Sequence, residues 1–278
     1  MNARLLFILL LFTIGALWYI IGYWRRKAGE AAFAAARLAE KSEERERYCR
    51  LAVMAGHREA CRMFCLLHPE RFDGHSPHKP FKLRGIRISF YGYYYPSRYN
   101  ALLNDEQKAF CHSIYQFKQG DIHGIEFFKT CMNALQLKKR PYHIMFMPCS
   151  NWIKYGQRFK RLDWYIGKHR QDLTSGLYDV DICDARESLH EAKGGEKRIL
   201  ERNYLITGKI KGKEIIIIDD VLTTGQSVAD YKEEIERCGG KVVAAIFYGK
   251  TLSMPSMLLV QIHVWGNHIA HIIERMTK

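Results

Sequence analysis

The sequence predicts an α/β protein: a parallel sheet flanked by helices, preceded by an apolar N-terminal helix and a short helical segment. Three observations predict it. The runs YHIMFMP (142–148), EIIIID (214–219) and KVVAAIFY (241–248) are short and apolar on both faces, as strands inside a parallel sheet are. A helical pattern over 226–237 joins the last two runs and is closed by Cys238-Gly239-Gly240. Strand, helix and strand with short connectors make a parallel βαβ unit. The third observation is the uncharged stretch LLFILLLFTIGALWYIIGYW from Leu5 to Trp24. With 278 residues, 47% of them hydrophobic, the chain can build one α/β domain of ordinary size and an appendage.

Each element follows in order. Leu5–Trp24 meets the roughly 20 apolar residues that a helix needs to cross a bilayer. Trp18, Tyr19, Tyr23 and Trp24 cluster at one end as interface anchors, and Arg25, Arg26 and Lys27 follow at once. Positive charge after the run places the C-terminal side in the cytoplasm. A cleaved signal peptide carries its charge before a shorter apolar core, so an uncleaved single-pass anchor is expected. Residues 28–68, rich in Ala, Glu and Arg, read as one or two helices with a turn at Gly56. The segment RLAVMAGHREACRMFCLLHPE (50–70) resembles one unit of a tetratricopeptide-like hairpin without a second copy, and the helices would serve as a spacer or dock a protein. Within them His57, Cys61, Cys65 and His68 share a helical face. One face cannot wrap a metal tetrahedrally, so the stripe reads as packed thiols.

Pro69, Gly74, Pro77 and Pro80 mark a linker. Arg84–Tyr95 alternates as a strand. Asn104, with Gln107 three residues on, opens a helix to Phe117; another runs from Asp121 to Leu137. After the strand at 142–148 come a helix from Gln157 to His169 and a strand at Leu177–Cys183. Ala185–Gly195 is polar and reads as a mobile loop. MLLVQIHVWG, near the C-terminus, reads as a last strand. The expected domains are an anchor over 1–27, a helical spacer and linker over 28–80, and the α/β domain over 81–278.

Charge and cysteine usage narrow the function. The net charge of +14, from 43 basic and 29 acidic residues, favours anionic partners: phosphorylated metabolites, nucleic acid or anionic lipid. The eight cysteines are dispersed, unlike a secreted disulfide framework.

The stretch EIIIIDDVLTTGQSV carries the chemistry. Ligands of parallel sheets bind beyond the carboxyl ends of the strands, which is where Asp219 and Asp220 fall. The loop after them leads into a helix whose first N–H groups favour an anion. Gly225 lets a ligand approach the backbone, and Thr223, Thr224 and Ser227 add hydroxyl donors. Carboxylates for sugar hydroxyls beside donors for a phosphate suit a sugar phosphate. The chain contains neither GxxxxGK[ST] nor GxGxxG, which removes the P-loop and dinucleotide-fold readings.

DDVLTTGQS closely resembles the phosphoribosyl-pyrophosphate (PRPP) motif of the type I phosphoribosyltransferases. The resemblance implies that Asp219 and Asp220 bind the ribose hydroxyls, and that Leu222, Thr223, Thr224, Gly225, Gln226 and Ser227 hold the 5-phosphate. SIYQFKQGDIHGIEFF, YHIMFMPCSNWIKYGQRF and RILERNYLITGKIKGKEIIIIDD resemble segments of the ComF-type, competence-associated subfamily. That resemblance puts Cys149 and Ser150 in a pyrophosphate-binding loop, with Lys154 and Arg158 as charge partners. It further implies Mg²⁺ held mainly by PRPP with Asp219 and Asp220 nearby, transfer of the phosphoribosyl group to a nitrogen acceptor, and a lid over Ala185–Lys197. The chain departs from the subfamily in lacking an N-terminal Cys-x-x-Cys pair. It also has Gln157-Arg158-Phe159-Lys160-Arg161 where an Arg-Gly-Phe-Asn-Gln segment is usual. A non-catalytic PRPP sensor and a DNA-uptake accessory protein are the alternatives. Single-stranded DNA, anionic lipid and a second copy of the chain are further partners compatible with this reading.

Overall fold

The computed structural model describes residues 3–122, 124–182 and 203–277, with side chains from residue 10 onward. The chain divides into two compact units: residues 1–74, 99–103 and 253–278 form one, and residues 75–98 and 104–252 the other. In chain order the helices are α1 (Ala3–Leu38), α2 (Ser42–Met54), α3 (Arg58–Leu67), α4 (Pro69–Asp73), α5 (Asp105–Gln119), α6 (Ile125–Leu135), α7 (Trp152–His169), α8 (Gln226–Arg237) and α9 (Met257–Met276). The strands are β1 (Phe81–Leu83), β2 (Ile86–Tyr94), β3 (Tyr142–Phe146), β4 (Leu173–Ser175), β5 (Val180–Ile182), β6 (Tyr204–Ile206), β7 (Glu214–Leu222) and β8 (Lys241–Thr251).

The helical unit is built from α1 to α4 and α9. Its core joins Ala36, Cys49, Ala52, Val53, Cys61, Phe64 and Cys65 to Val260 and Val264 of α9. The cysteine stripe is packing: burial raises the Cys61 thiol and pushes that of Cys65 up to about 12, and the His57 ring caps α3 by accepting from the Ala60 N–H at 3.2 Å. The segment MLLVQIHVWG is helix, not strand. Ser256 caps it through the Leu259 N–H, and its buried residues Val260 and Val264 are spaced four apart. Among the described residues no helix is long and apolar enough to cross a membrane. The span expected over Leu5–Trp24 lies within α1, but its first side chains precede the described ones. From Leu10 on, its apolar residues are largely exposed, Trp18 at 74%.

The second unit holds the sheet. Among the described residues its order is β1-β2-β8-β7-β3-β4, parallel throughout except for the antiparallel edge strand β1. Ile215–Ile218 are fully buried in the middle of it, the two-sided burial expected of a parallel strand. β7 extends past the apolar run to Leu222, so both aspartates are still within the strand: Asp219 pairs with Phe247 and Leu222 with Lys250. β2 begins at Ile86 instead of Arg84, because Arg84 and Gly85 form a two-residue turn back to β1. α7 starts five residues before the expected Gln157, capped by Asn151, whose Oδ1 accepts from the Lys154 N–H at 2.9 Å. α5 carries the capping box expected at Asn104 and Gln107. β5 and β6 form a separate antiparallel pair. The lid expected over Ala185–Lys197, with Arg186, Lys193 and Lys197, lies outside the described residues.

Candidate functional site

The site is built where β7 gives way to α8. Side chains alternate along a strand, which would send Asp219 and Asp220 apart. A shared cation nevertheless gathers them. Arg158 Nη1 on α7 lies 2.6 Å from Asp220 Oδ2 and 3.7 Å from Asp219 Oδ1. The Asp220 N–H donates to Asp219 Oδ1 at 2.7 Å, so the first carboxylate folds back along the backbone of the second. Lys118 Nζ, one residue from the end of α5, adds a third approach, 3.5 Å from Asp220 Oδ2. Two carboxylates thus face two cations in a half-closed setting. Burial, then the neighbouring charge of Asp220, pushes Asp219 up to about 8 against the pull of Arg158.

The loop that follows is shaped for close approach. Gly225 has φ +76°, a conformation that favours glycine, and a Cβ there would press on the Leu83 side chain, 2.7 Å from Cδ2. Thr223 and Thr224 are exposed, as are Gln226 and Ser227 at the start of α8, while Leu222 is buried beneath them. Thr224 Oγ1 accepts from the Gln226 N–H at 3.4 Å, and the Gln226 side chain is held by Asp230 at 2.6 Å. An exposed pair of hydroxyls, a glycine and a helix N-terminus together can hold an anion.

The second loop, 147–151, leaves β3 beside β7: the Met147 N–H donates to the Ile218 carbonyl at 2.9 Å. Cys149 is buried, and burial pushes its thiol up to about 12, so it offers backbone and not a thiolate. Its carbonyl accepts from Asn203 Nδ2 at 3.0 Å, which ties this loop to the residues before β6. Ser150 and Lys154 are exposed. Of the four residues expected at a pyrophosphate loop, Arg158 is therefore the one joined to the diacid, through ion pairs. Lys118, which lies within the segment SIYQFKQGDIHGIEFF, is not among the site residues expected from the sequence. Only tertiary contact brings it to Asp220.

Gly120, the C-cap of α5 (φ +81°), packs so tightly on α7 that a Cβ would overlap the Gln157 carbonyl oxygen. This contact fixes the two helices that deliver Lys118 and Arg158. At the far end of β3, buried His143 is held by Thr174 Oγ1 at 2.7 Å and Asp179 Oδ2 at 2.6 Å, which fastens the segment after β4 to the sheet. Among the described residues no group of three or more His, Cys, Asp or Glu could hold a metal ion. Two carboxylates already paired with cations suit Mg²⁺ only if phosphate oxygens supply most of its ligands.

Residues 171–251, from the approach to β4 through β8, match the family model described as "Phosphoribosyl transferase domain". The matched region contains both aspartates and the Thr-Thr-Gly loop. Among characterised proteins, the chain is similar to the orotate phosphoribosyltransferase of Sulfolobus acidocaldarius. The two are 42% identical over 57 residues, which is 20% of this chain and 26% of that protein. The chain therefore spans about a quarter of the length of this relative.

Proposed function

We propose that the chain is a phosphoribosyltransferase that binds PRPP with Mg²⁺ and transfers the 5-phosphoribosyl group to a nitrogen acceptor. The observation that carries the reading is the diacid at the carboxyl end of β7, with Asp220 buried and Asp219 half-buried, followed at once by the Thr-Thr-Gly loop and α8, inside the matched region. Asp219 and Asp220 accept from the ribose 2′- and 3′-hydroxyls. The loop Leu222–Ser227 receives the 5-phosphate on backbone N–H groups and hydroxyls. Backbone groups at Cys149 and Ser150, with Lys154 and Arg158, hold the pyrophosphate. In the reaction the bond from the anomeric carbon to pyrophosphate breaks and a bond to the acceptor nitrogen forms, which then gives up its proton. Charge builds on the leaving pyrophosphate, so fixed cations such as Arg158 and Lys118 stabilise it. Mg²⁺ would ride mainly on the phosphates with the two aspartates nearby, and supply further charge neutralisation.

The ComF-like reading is a finer part of the same proposal. It is supported by FKQG, whose Lys118 lies 3.5 Å from Asp220 and whose Gly120 seats α5 on α7. Membrane anchoring is proposed from the uncharged run Leu5–Trp24, the basic residues Arg25, Arg26 and Lys27 after it, and the exposed aromatics of α1. On that reading the α/β unit would face the cytoplasm from a bacterial inner membrane.

Calorimetric titration with PRPP and Mg²⁺ tests the site. Saturable binding is expected, and it should vanish when Asp219→Asn and Asp220→Asn are combined. Pyrophosphate release across a panel of nucleobases and ammonia then identifies the acceptor. Tight PRPP binding with no release for any acceptor would leave a sensor in place of an enzyme.

A further inference from the structure

A basic group stands beside the phosphate loop, delivered by the turn between the edge strand β1 and its neighbour β2. β1 and β2 are joined by the two-residue turn Arg84-Gly85, with Leu83 paired to Ile86. Both turn residues have positive φ, +50° at Arg84 and +76° at Gly85. Such turns are normally filled by Asn, Asp or Gly at the first position, because a larger side chain is strained in the left-handed region. Here that position holds an arginine, and the turn presses on the loop before α8. Leu83 Cδ2 fills the space a side chain at Gly225 would need, and Arg84 Cδ lies 3.8 Å from the same point. Arg84 Nε donates to the Thr224 carbonyl at 3.4 Å. That contact engages one donor of an exposed guanidinium and seats it beside Thr224, within the Thr223–Ser227 loop.

We propose that Arg84 is a binding residue for the 5-phosphate of the sugar phosphate, closing the loop's cradle from the β1–β2 side. The inference rests on the assignment of the Thr223–Ser227 loop to that phosphate and adds a residue outside the region matched to the family. The chemistry is a fit of shapes. Backbone N–H groups and hydroxyls approach a phosphate from the α8 side, and a planar guanidinium presents paired donors from the other. A lysine would supply charge without the paired geometry.

The experiment uses the full chain and the variants Arg84→Gly and Arg84→Lys, with PRPP plus Mg²⁺, ribose 5-phosphate and inorganic pyrophosphate as separate probes. Arg84→Gly removes the guanidinium and relieves the positive φ, so its melting temperature should equal or exceed that of the parent. Its Kd for ribose 5-phosphate and for PRPP should rise about tenfold or more, the loss expected for one charge-assisted contact. Its Kd for pyrophosphate should stay within about twofold, the spread allowed for a contact that is not made. Arg84→Lys should recover part of the sugar-phosphate affinity. If the parent binds both sugar phosphates and Arg84→Gly binds them equally well, Arg84 is not a phosphate ligand, while the loop assignment stands. If the parent binds neither, both the loop assignment and this inference fall. An equal loss for all three probes would point to a general charge effect and overturn the specific role.

Discussion

Asp219 shows how a binding group can weaken the fold that carries it. Burial and the charge of Asp220 raise its carboxyl to about 8, whereas an unfolded aspartate titrates near 4. The folded chain therefore holds this proton more tightly than the unfolded chain. The stability associated with it is fully present below about pH 4 and is lost as pH rises through about 8. Asp219→Asn keeps the shape and removes the titration. We expect its melting curve to diverge upward from the parent's as pH rises, by on the order of 1–2 kcal/mol at pH 9. The gap should close at pH 5 relative to pH 9, and equal gaps at both values would contradict the argument. The same residue scale explains what the sequence made legible. Asp219 through Ser227 are consecutive, so their spacing alone exposed a site. Lys118 reaches it from about a hundred residues away and Arg84 from 140, and no local pattern carries a contact of that kind.

Helix and strand assignments divide along a similar line. The capping box at Asn104 and Gln107 and the glycines after α8 are local chemistry, and those boundaries could be read directly. β1 and β4 have three residues each, too few for a periodicity to emerge. α9 reads as a strand in the sequence because its first turn, 257–260, is apolar all round, although only Val260 and Val264 are buried while Leu258, Leu259 and Ile262 are exposed. The element that most controls the candidate site is the α5–α7 contact. Gly120 allows the end of α5 to lie on the Gln157 carbonyl, and Lys118 and Arg158 are set by that fit. Gly120→Ala adds a methyl where there is no room and keeps a positive φ. A cost of about 1–3 kcal/mol is expected in urea unfolding. PRPP affinity should fall with it, because both cations move relative to Asp220. A variant that folds and binds like the parent would show that the two helices do not set the site.

At the scale of the whole molecule, two different forces could hold this chain to a membrane, and salt separates them. The net charge of +14 attracts it to anionic lipid, but the Debye length shrinks from about 10 Å at 0.1 M salt to about 3 Å at 1 M, so such binding is lost on washing. The apolar run Leu5–Trp24 acts through the hydrophobic effect, which salt does not screen. If α1 is an anchor, the full chain stays with membranes through 1 M salt and alkaline washing and is released only by detergent. Removing residues 5–24 should leave a weaker association that disappears between 0.1 and 1 M salt. The PRPP titration of that shortened chain should match the parent's, because Asp219, Asp220 and the Thr-Thr-Gly loop belong to a unit with its own buried core. Release of the full chain by salt alone would assign its membrane attachment to charge and withdraw the anchor.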